Sequence, residues 1–88
     1  MIQEMRIQFL RADLALKAAT AGLLAVADRL LSLDHCTRAR LLHNVMHAGA
    51  QREQAERWLL ARDPQWLEDW AAVRITQEEI DRLLEVAA

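Results

Sequence analysis

The feature that most constrains the fold is a heptad pattern of apolar residues through the first 33 positions. Each of five heptads has an apolar residue at one position and another three residues later: Ile2, Phe9, Leu16, Leu23 and Leu30, then Met5, Ala12, Ala19, Val26 and Leu33. Such a pattern is typical of one long helix whose apolar seam packs against another helix. We therefore expect the chain to begin with a helix over about residues 2–33.

A helix of this length is too long for a compact monomer. At 1.5 Å per residue it would extend about 48 Å, whereas a globule of 88 residues has a radius of gyration of about 12 Å. Either the helix breaks near Gly22 or a second chain covers it. We favour a homodimer whose interface is this seam: Ile2, Phe9, Leu16, Ala19, Leu23, Val26 and Leu30. A monomeric bundle built around the same helix is the alternative.

A second stripe on the first helix consists of small residues: Ala15, Ala18, Gly22 and Ala25. Side chains this small allow a neighbouring backbone to approach closely, so Gly22 predicts a packing notch. Leucines lie on a third side of the helix: Leu10, Leu14, Leu24 and Leu31. We therefore expect the middle of this helix to be buried on several sides.

The first two helices are predicted to form an antiparallel hairpin. Ser32 and Asp34 can cap a second helix of about residues 35–62, and the tight connection turns the chain back on itself. The predicted core positions of this helix follow one stripe that Arg52 interrupts: Leu41, Val45, Ala48, Ala55 and Leu59. Three further residues widen the stripe in its first half: Leu42, Met46 and Gly49.

Two shorter helices are predicted to complete the chain. Pro64 favours a helix start, because the missing N–H of proline costs nothing in the first turn, and it indicates a third helix of about residues 64–73. Thr76 and Glu79 form a capping box for a fourth helix of about residues 77–86. The expected buried stripe of the fourth helix is Ile80, Leu83, Leu84 and Ala87.

The composition supports an all-α protein and excludes several other classes. Apolar residues make up 53% of the chain and charged residues 27%, with only two glycines and one proline. That profile is typical of a helical globule and not of a disordered or fibrous chain. Residues 1–88 are therefore predicted to form a single domain, a small all-α bundle of about four helices. The single cysteine fits a reducing compartment, so we expect a cytoplasmic protein that does not enter the membrane.

Few residues of the sequence suggest a metal site or an enzymatic active site. Cys36, His43 and His47 fall on one face of the predicted second helix and make a weak three-ligand candidate for Zn²⁺. Asn44 stands where a zinc-protease helix carries its glutamate base, and no other predicted helix offers a matching Cys or His. The chain also has no glycine-rich phosphate loop and no nucleophile with an oriented base. We expect no metal, no cofactor and no enzymatic activity.

Charge is distributed unevenly along the chain and makes nucleic acid the alternative partner. Residues 1–62 hold nine Lys or Arg against six Asp or Glu, whereas residues 63–88 hold two against seven. The arginines that offer a basic surface on the second helix are Arg38, Arg40, Arg52 and Arg57. Glu53 and Glu56 are each spaced to form an ion pair with one of these arginines, which favours a solvated face. A dimeric DNA-binding regulator is therefore the alternative function.

The acidic C-terminal third contains the predicted partner surface. Trp66 and Trp70 lie one turn apart on the third helix, flanked by Glu68 and Asp69. Trp is frequent at interface hot spots, because it buries a large area at a small rotamer cost. We predict that Trp58 belongs to the core and that Trp70 contacts a partner, while carboxylates steer a basic protein towards it. The leading hypothesis is a homodimeric helical module that binds another protein as an adaptor, regulator or inhibitor.

Overall fold

The structure confirms the all-α class. The computed structural model describes residues 1–86, in which four α-helices and one 3-10 helix follow each other without a strand: α1 Ile2–Ala25, the 3-10 helix Ala27–Ser32, α2 His35–Arg62, α3 Pro64–Ala71 and α4 Gln77–Val86. The long helices α1 and α2 pack along each other in the predicted antiparallel hairpin. Residues of α3 and α4 pack against one end of this hairpin.

The first helix is shorter than the heptad pattern predicts. It ends at Ala25, and Val26 has φ −120° and ψ 12°, outside the α-helical region. In the 3-10 helix that follows, Arg29 also departs from helical angles, and its carbonyl accepts a hydrogen bond from the Ser32 hydroxyl at 2.7 Å. Short 3-10 segments are frequent where an α-helix ends, because their tighter turns change the direction of the chain. The predicted end near residue 33 is therefore wrong, and the last predicted turns form the reversal of the hairpin instead.

The predicted capping residues mark the starts of the other helices. Asp34 caps α2, and its carboxylate accepts a hydrogen bond from the Thr37 N–H at 2.7 Å. Pro64 occupies the first turn of α3. At the start of α4, the Thr76 hydroxyl accepts a hydrogen bond from the Glu79 N–H at 3.2 Å. Side-chain hydrogen bonds from Asp34 and Thr76 thus cap α2 and α4, whereas α3 begins with Pro64 and has no side-chain cap.

The third helix ends at Ala71, two residues before the predicted boundary. Val73 has a left-handed backbone conformation with φ 58°, which is uncommon for a β-branched residue and does not continue a helix. The N–H of Arg74 donates to the Asp69 carbonyl at 2.8 Å and so satisfies one of the last carbonyls of α3. From this corner the chain turns into α4.

Two contacts define the register of the hairpin. The Arg52 Nε donates to the Asp13 carboxylate at 3.0 Å, and a Cβ at Gly49 would lie 3.9 Å from the Leu16 Cδ1. In both pairs the two residue numbers add up to 65. A residue of α1 therefore lies beside the residue of α2 whose number is 65 minus its own. The seam positions of α1 therefore face α2.

The core lies at one end of the hairpin, which we call the closed end (residues 1–13 and 51–86). Its buried cluster combines residues of α1, α2 and α3: Phe9, Leu10, Ala55, Leu59, Trp66 and Leu67. Partly buried apolar residues pack around this cluster: Met5, Trp58, Trp70, Ile75, Ile80, Leu83 and Leu84. The predicted stripe of α4 is thus confirmed at three positions, and its fourth member, Ala87, lies outside the described residues.

The other end of the hairpin, residues 14–50, has little core, and we call it the open end. Ala48 is the only buried residue within that range. A compact chain of this length has a radius of gyration of about 12 Å, whereas the Cα atoms here give 15.3 Å and span 44 × 25 × 25 Å. The molecule is elongated because α3 and α4 cover only the closed end.

The predicted packing notch at Gly22 is empty within the chain. A Cβ placed at Gly22 meets nothing within 4 Å. The other members of the small-residue stripe are exposed as well: Ala15, Ala18 and Ala25. The expectation that the middle of α1 is buried on several sides is therefore wrong, because α2 covers only one side of it.

Candidate functional site

The predicted dimer seam on α1 packs within the chain. Phe9 is 1% exposed in the core, whereas Ile2 at the N-terminus is 43% exposed. Leu16, Ala19 and Leu23 are half-buried on the side of α1 that faces α2. Val26 and Leu30, which follow the end of α1, are half-buried too. Phe9 is therefore wrong as an interface residue, because residues of α2 and α3 already enclose it. The second helix of the same chain takes the side of α1 that a second copy was predicted to cover.

Two of the three tryptophans surround Phe9 at the closed end. The Phe9 ring meets Trp66 and Trp70 edge to face, with ring centroids 5.9 and 4.8 Å apart. Trp66 is 8% exposed, so its assignment to the partner surface is wrong, because apolar burial places it in the core. Arg6 lies 5.5 Å from the centroid of the Trp66 ring, and its Nε bonds the Asp63 carboxylate at 2.6 Å.

Trp70 and Trp58 are half-buried, and both rings already contact side chains of the chain. Lys17 Nζ lies 5.8 Å and the Arg52 guanidinium 5.7 Å from the Trp70 ring centroid. Trp58 packs against the core cluster, and Arg62 lies 4.6 Å from its ring centroid. Trp70 is predicted to contact a partner, but its ring already packs against side chains of its own chain.

The carboxylates predicted beside Trp70 differ in their surroundings. Asp69 accepts hydrogen bonds from Gln65 at 3.0 Å and from Arg74 at 3.3 Å. Glu68 is exposed. Of the four residues predicted for a partner surface, Glu68 therefore presents the most accessible charge.

Asp13 is a buried acid at the closed end. It is 7% exposed, and its carboxylate binds Lys17 at 2.7 Å and Arg52 at 3.0 Å. Arg52 also bonds Glu56 at 3.1 Å and lies 4.9 Å from the Phe9 ring centroid. Burial raises the pKa of the Asp13 carboxyl, but the hydrogen bonds and charges of its two basic partners outweigh burial and hold that pKa below its ordinary value of 3.8. The paired carboxylate therefore stays ionised, which suits a structural role.

The arginines predicted to contact nucleic acid are partly engaged within the chain. The two ion pairs predicted within α2 are present: Arg57 with Glu53 at 2.7 Å and Arg52 with Glu56 at 3.1 Å. Arg38 and Arg40 lie near the hairpin turn, the first half-buried and the second exposed. The basic surface of α2 is thus reduced chiefly to these two residues, because the other two offset carboxylates of their own chain.

The candidate metal ligands lie on an exposed side of α2. The imidazole rings of His43 and His47 stack, with centroids 5.6 Å apart and planes 15° apart, and the thiol of Cys36 is exposed. Among residues 1–86, no group of three His, Cys, Asp or Glu side chains is placed to hold a metal ion. Ligand spacing along one helix does not by itself assemble a coordination shell.

A patch of large apolar side chains is exposed on the open end of the hairpin. Leu24 is 68% exposed, Leu42 42% and Met46 73%. Lys17 reaches Trp70 on α3, and Leu24 follows seven residues later, two turns further along the same side of α1. Leu24 therefore lies on the flank of the hairpin that carries α3, beyond the reach of that helix. We call the patch of Leu24, Leu42 and Met46 the open face.

The α2 side of the open face belongs to a second apolar stripe on that helix. Its members alternate spacings of three and four residues: Ala39, Leu42, Met46 and Gly49. Glu56, seven residues beyond Gly49, bonds Arg52 beside Trp70, which places the stripe on the same flank as α3. Contiguous exposed apolar residues on a folded domain are typical of protein contact sites.

The structure changes the role of Leu42 and Met46. The sequence predicts that both residues widen the core stripe of α2, whereas the structure exposes them. The alternating spacing of three and four residues from Ala39 to Gly49 is the signal for a separate apolar stripe on α2, as opposed to a widening of the core stripe. Whether another element covers that stripe depends on how far α3 and α4 reach, which the spacing does not show.

Comparison of this chain with protein families, curated proteins and solved structures finds no match. None of the helices described over residues 1–86 is long and apolar enough to cross a membrane.

Proposed function

We propose that the protein is a small, non-enzymatic helical module that binds a protein surface through the open face. The observation that supports this function is the exposure of large apolar side chains on one flank of the hairpin: Leu24, Leu42 and Met46. Complete burial of one Leu or Met side chain stabilises a folded state or complex by about 1.5–3 kcal/mol. A partner that covers the open face therefore gains several such contributions at once.

The division of the molecule into two ends suits a binding module. The closed end contains the buried core, whereas the open end extends as two paired helices with an uncovered flank. A surface on regular helices is already ordered before binding, so association has a small conformational cost. Such a module acts by occupying or bridging surfaces, as an adaptor, a regulator or an inhibitor.

The acidic C-terminal third has an accessory role in this proposal. Glu68 on α3 and Glu78 on α4 are exposed, although Glu78 also pairs with Arg82 at 2.8 Å. Carboxylates at the edge of a contact attract a basic partner and raise the association rate more than the affinity. Mutation of these acids should therefore affect binding less than mutation of the open face.

Recovery of bound proteins from native lysate tests the proposed function. The wild type, the double variant Leu24→Glu/Met46→Glu and the control Leu14→Glu are immobilised, and bound proteins are quantified by mass spectrometry. Leu14 is 52% exposed on the side of α1 that faces away from α2, so it controls for the loss of an exposed leucine. We expect the wild type and the control to recover the same protein, whether another protein or more of this chain, and the double variant to recover at least about tenfold less.

Far-UV circular dichroism must first show that all three proteins are equally helical. Equal recovery by folded wild type and double variant would contradict the proposed function. An equal loss in Leu14→Glu would also contradict it, because the binding surface would then lie elsewhere.

A further inference from the structure

We propose that the open face binds a second copy of this chain, with the two α2 helices antiparallel about a two-fold axis at Met46. This inference rests on the proposed function and names the partner of the same surface. It replaces the predicted interface along the α1 seam, which α2 of the same chain already faces.

The apolar residues on this flank are self-complementary. When two α2 helices run antiparallel about Met46, that residue meets its own copy, and Leu42 of each chain lies opposite Gly49 and Ala50 of the other. Leu42 is 42% exposed, Gly49 has no side chain, and Ala50 is exposed. Each large side chain thus faces small residues of the other copy, the arrangement that lets ridges of one helix enter grooves of the other. A two-fold interface requires such a match of one patch with itself.

Charge on α2 favours the antiparallel orientation. Arg38 and Glu53 lie towards opposite ends of the stripe, and Met46 lies close to the midpoint, eight residues after Arg38 and seven before Glu53. Antiparallel pairing therefore brings Arg38 of each copy beside Glu53 of the other, and symmetry makes this contact twice. Parallel pairing would place Arg38 beside Arg38 and Glu53 beside Glu53, which is repulsive at both ends.

Both charged residues remain accessible for this contact. The Arg38 guanidinium donates to the Leu31 carbonyl at 3.5 Å, a long hydrogen bond at the hairpin turn. Glu53 pairs with Arg57 at 2.7 Å, but its side chain is still 61% exposed. A carboxylate has two oxygens and can accept from a second arginine without losing the first.

The same register gives neighbours to two further exposed leucines. Leu60, near the end of α2, is 55% exposed, and antiparallel pairing places it beside the hairpin turn of the other copy. Leu31 in that turn is 89% exposed. From Arg38 to Leu60 the contact extends about 34 Å along α2. The proposed interface therefore uses most of the length of the helix.

Cysteine crosslinking tests the position of the axis. In a Cys36→Ser background, Met46→Cys places two thiols across the axis, and oxidised glutathione should convert them to a disulfide by accepting their electrons and protons. The matched control is Leu14→Cys in the same background, because Leu14 is similarly exposed but lies away from α2. We expect the Met46→Cys protein to form linked dimers at least about tenfold faster than the control.

A charge exchange tests the orientation. Sedimentation equilibrium should show a wild-type dimer, twice the 10.1 kDa mass of the chain. Arg38→Glu should raise the dimer dissociation constant roughly tenfold, since it affects two symmetric contacts. The double variant Arg38→Glu/Glu53→Arg should return the dissociation constant towards the wild-type value, as expected for residues that contact each other.

The proposal is overturned if the wild type stays monomeric up to about 1 mM, or if Leu14→Cys crosslinks as fast as Met46→Cys. A double charge variant that dimerises more weakly than either single variant would also overturn it. A monomeric wild type that still recovers another protein through the open face ends this inference and leaves the proposed function standing. A dimer insensitive to Leu24→Glu/Met46→Glu contradicts both.

Discussion

Arg52 stands in the middle of the apolar stripe of α2, where a charged side chain costs free energy unless it is paired. Arg52 is paired in the structure with a residue 39 positions earlier in the chain. The Asp13 carboxylate accepts a hydrogen bond from the Arg52 Nε at 3.0 Å. The guanidinium also lies against the aromatic rings of Phe9 and Trp70. The sequence shows Arg52 as an interruption of the stripe that can pair with Glu56 one turn away, but the pairing with Asp13 is so distant along the chain that it has no local signal.

Neutralising Asp13 should destabilise the fold. In Asp13→Asn the half-buried Arg52 loses its carboxylate partner, so we expect the free energy of unfolding to fall by about 2 kcal/mol. Urea denaturation followed by circular dichroism measures this change. The control is Glu78→Gln, which breaks the exposed pair with Arg82 and should cost less than about 0.5 kcal/mol. Equal effects of the two substitutions would show that burial of the Asp13 pair adds nothing to stability.

The contribution of Asp13 should also disappear in acid. Its pKa in the folded chain lies below the ordinary value of 3.8, so the unfolded chain takes up the proton first as the pH falls. The stabilisation by the ionised Asp13 carboxylate is complete above pH 3.8 and is lost as the pH decreases through the folded-state pKa. The stability difference between wild type and Asp13→Asn should therefore shrink below pH 3.8. A difference that stays constant down to pH 2 would contradict this linkage.

At the scale of single elements, α1 illustrates which properties a heptad pattern determines. The pattern correctly identifies the side of α1 that packs against a helix, but it does not identify which chain supplies that helix. It also continues through Leu30 and Leu33, although the α-helix ends at Ala25. Apolar spacing indicates which side of the helix is buried, whereas the helix end depends on backbone angles such as those of Val26, whose N–H donates to the Leu23 carbonyl at 3.2 Å.

The remaining helices were predictable for a different reason. Asp34, Pro64 and Thr76 each act on backbone groups within three residues, so their effect is local and can be read from the sequence. The open face was not predictable in the same way. Exposure of Leu42 and Met46 depends on the reach of α3, which is a property of packing at the other end of the molecule.

Gly22→Ala should stabilise α1. A Cβ at Gly22 meets nothing within 4 Å, and the residue does not need a positive φ, so alanine gains helix propensity of about 1 kcal/mol without a clash. Thermal denaturation measures the gain, and sedimentation should show unchanged self-association. In the matched variant Gly49→Ala the added Cβ lies 3.9 Å from Leu16 of the same chain, an ordinary van der Waals contact, so this variant should stabilise α2 without weakening the dimer. Destabilisation by Gly22→Ala would instead indicate that a neighbouring backbone approaches that position.

At the scale of the whole molecule, burial is divided unequally between the two ends. The core cluster belongs to the closed end, while the open end relies chiefly on contacts between α1 and α2. Regions with fewer buried apolar contacts open at a lower free energy than the rest of a domain. The two ends should therefore differ in local stability even though the same two helices run through both.

Amide hydrogen exchange tests this difference. The Leu24→Glu/Met46→Glu variant is used, so that self-association does not protect the open end. We expect amides of residues 16–23 and 41–46 to exchange at least about tenfold faster than those of residues 6–12 and 53–60. Uniform exchange across both helices would mean that the hairpin opens only when the entire chain unfolds.

Because the phenylalanine and tryptophan rings cluster together, the intrinsic fluorescence of the molecule comes from one end only. Its ultraviolet fluorophores and its single phenylalanine all belong to the closed end: Phe9, Trp58, Trp66 and Trp70. Intrinsic fluorescence therefore reports on one half of the hairpin, whereas far-UV ellipticity reports on both halves. Melting curves from the two probes separate if the halves melt separately, because coincidence of probes is the signature of a single cooperative transition. In such a protein the open half could lose its structure while the emission spectrum stays unchanged.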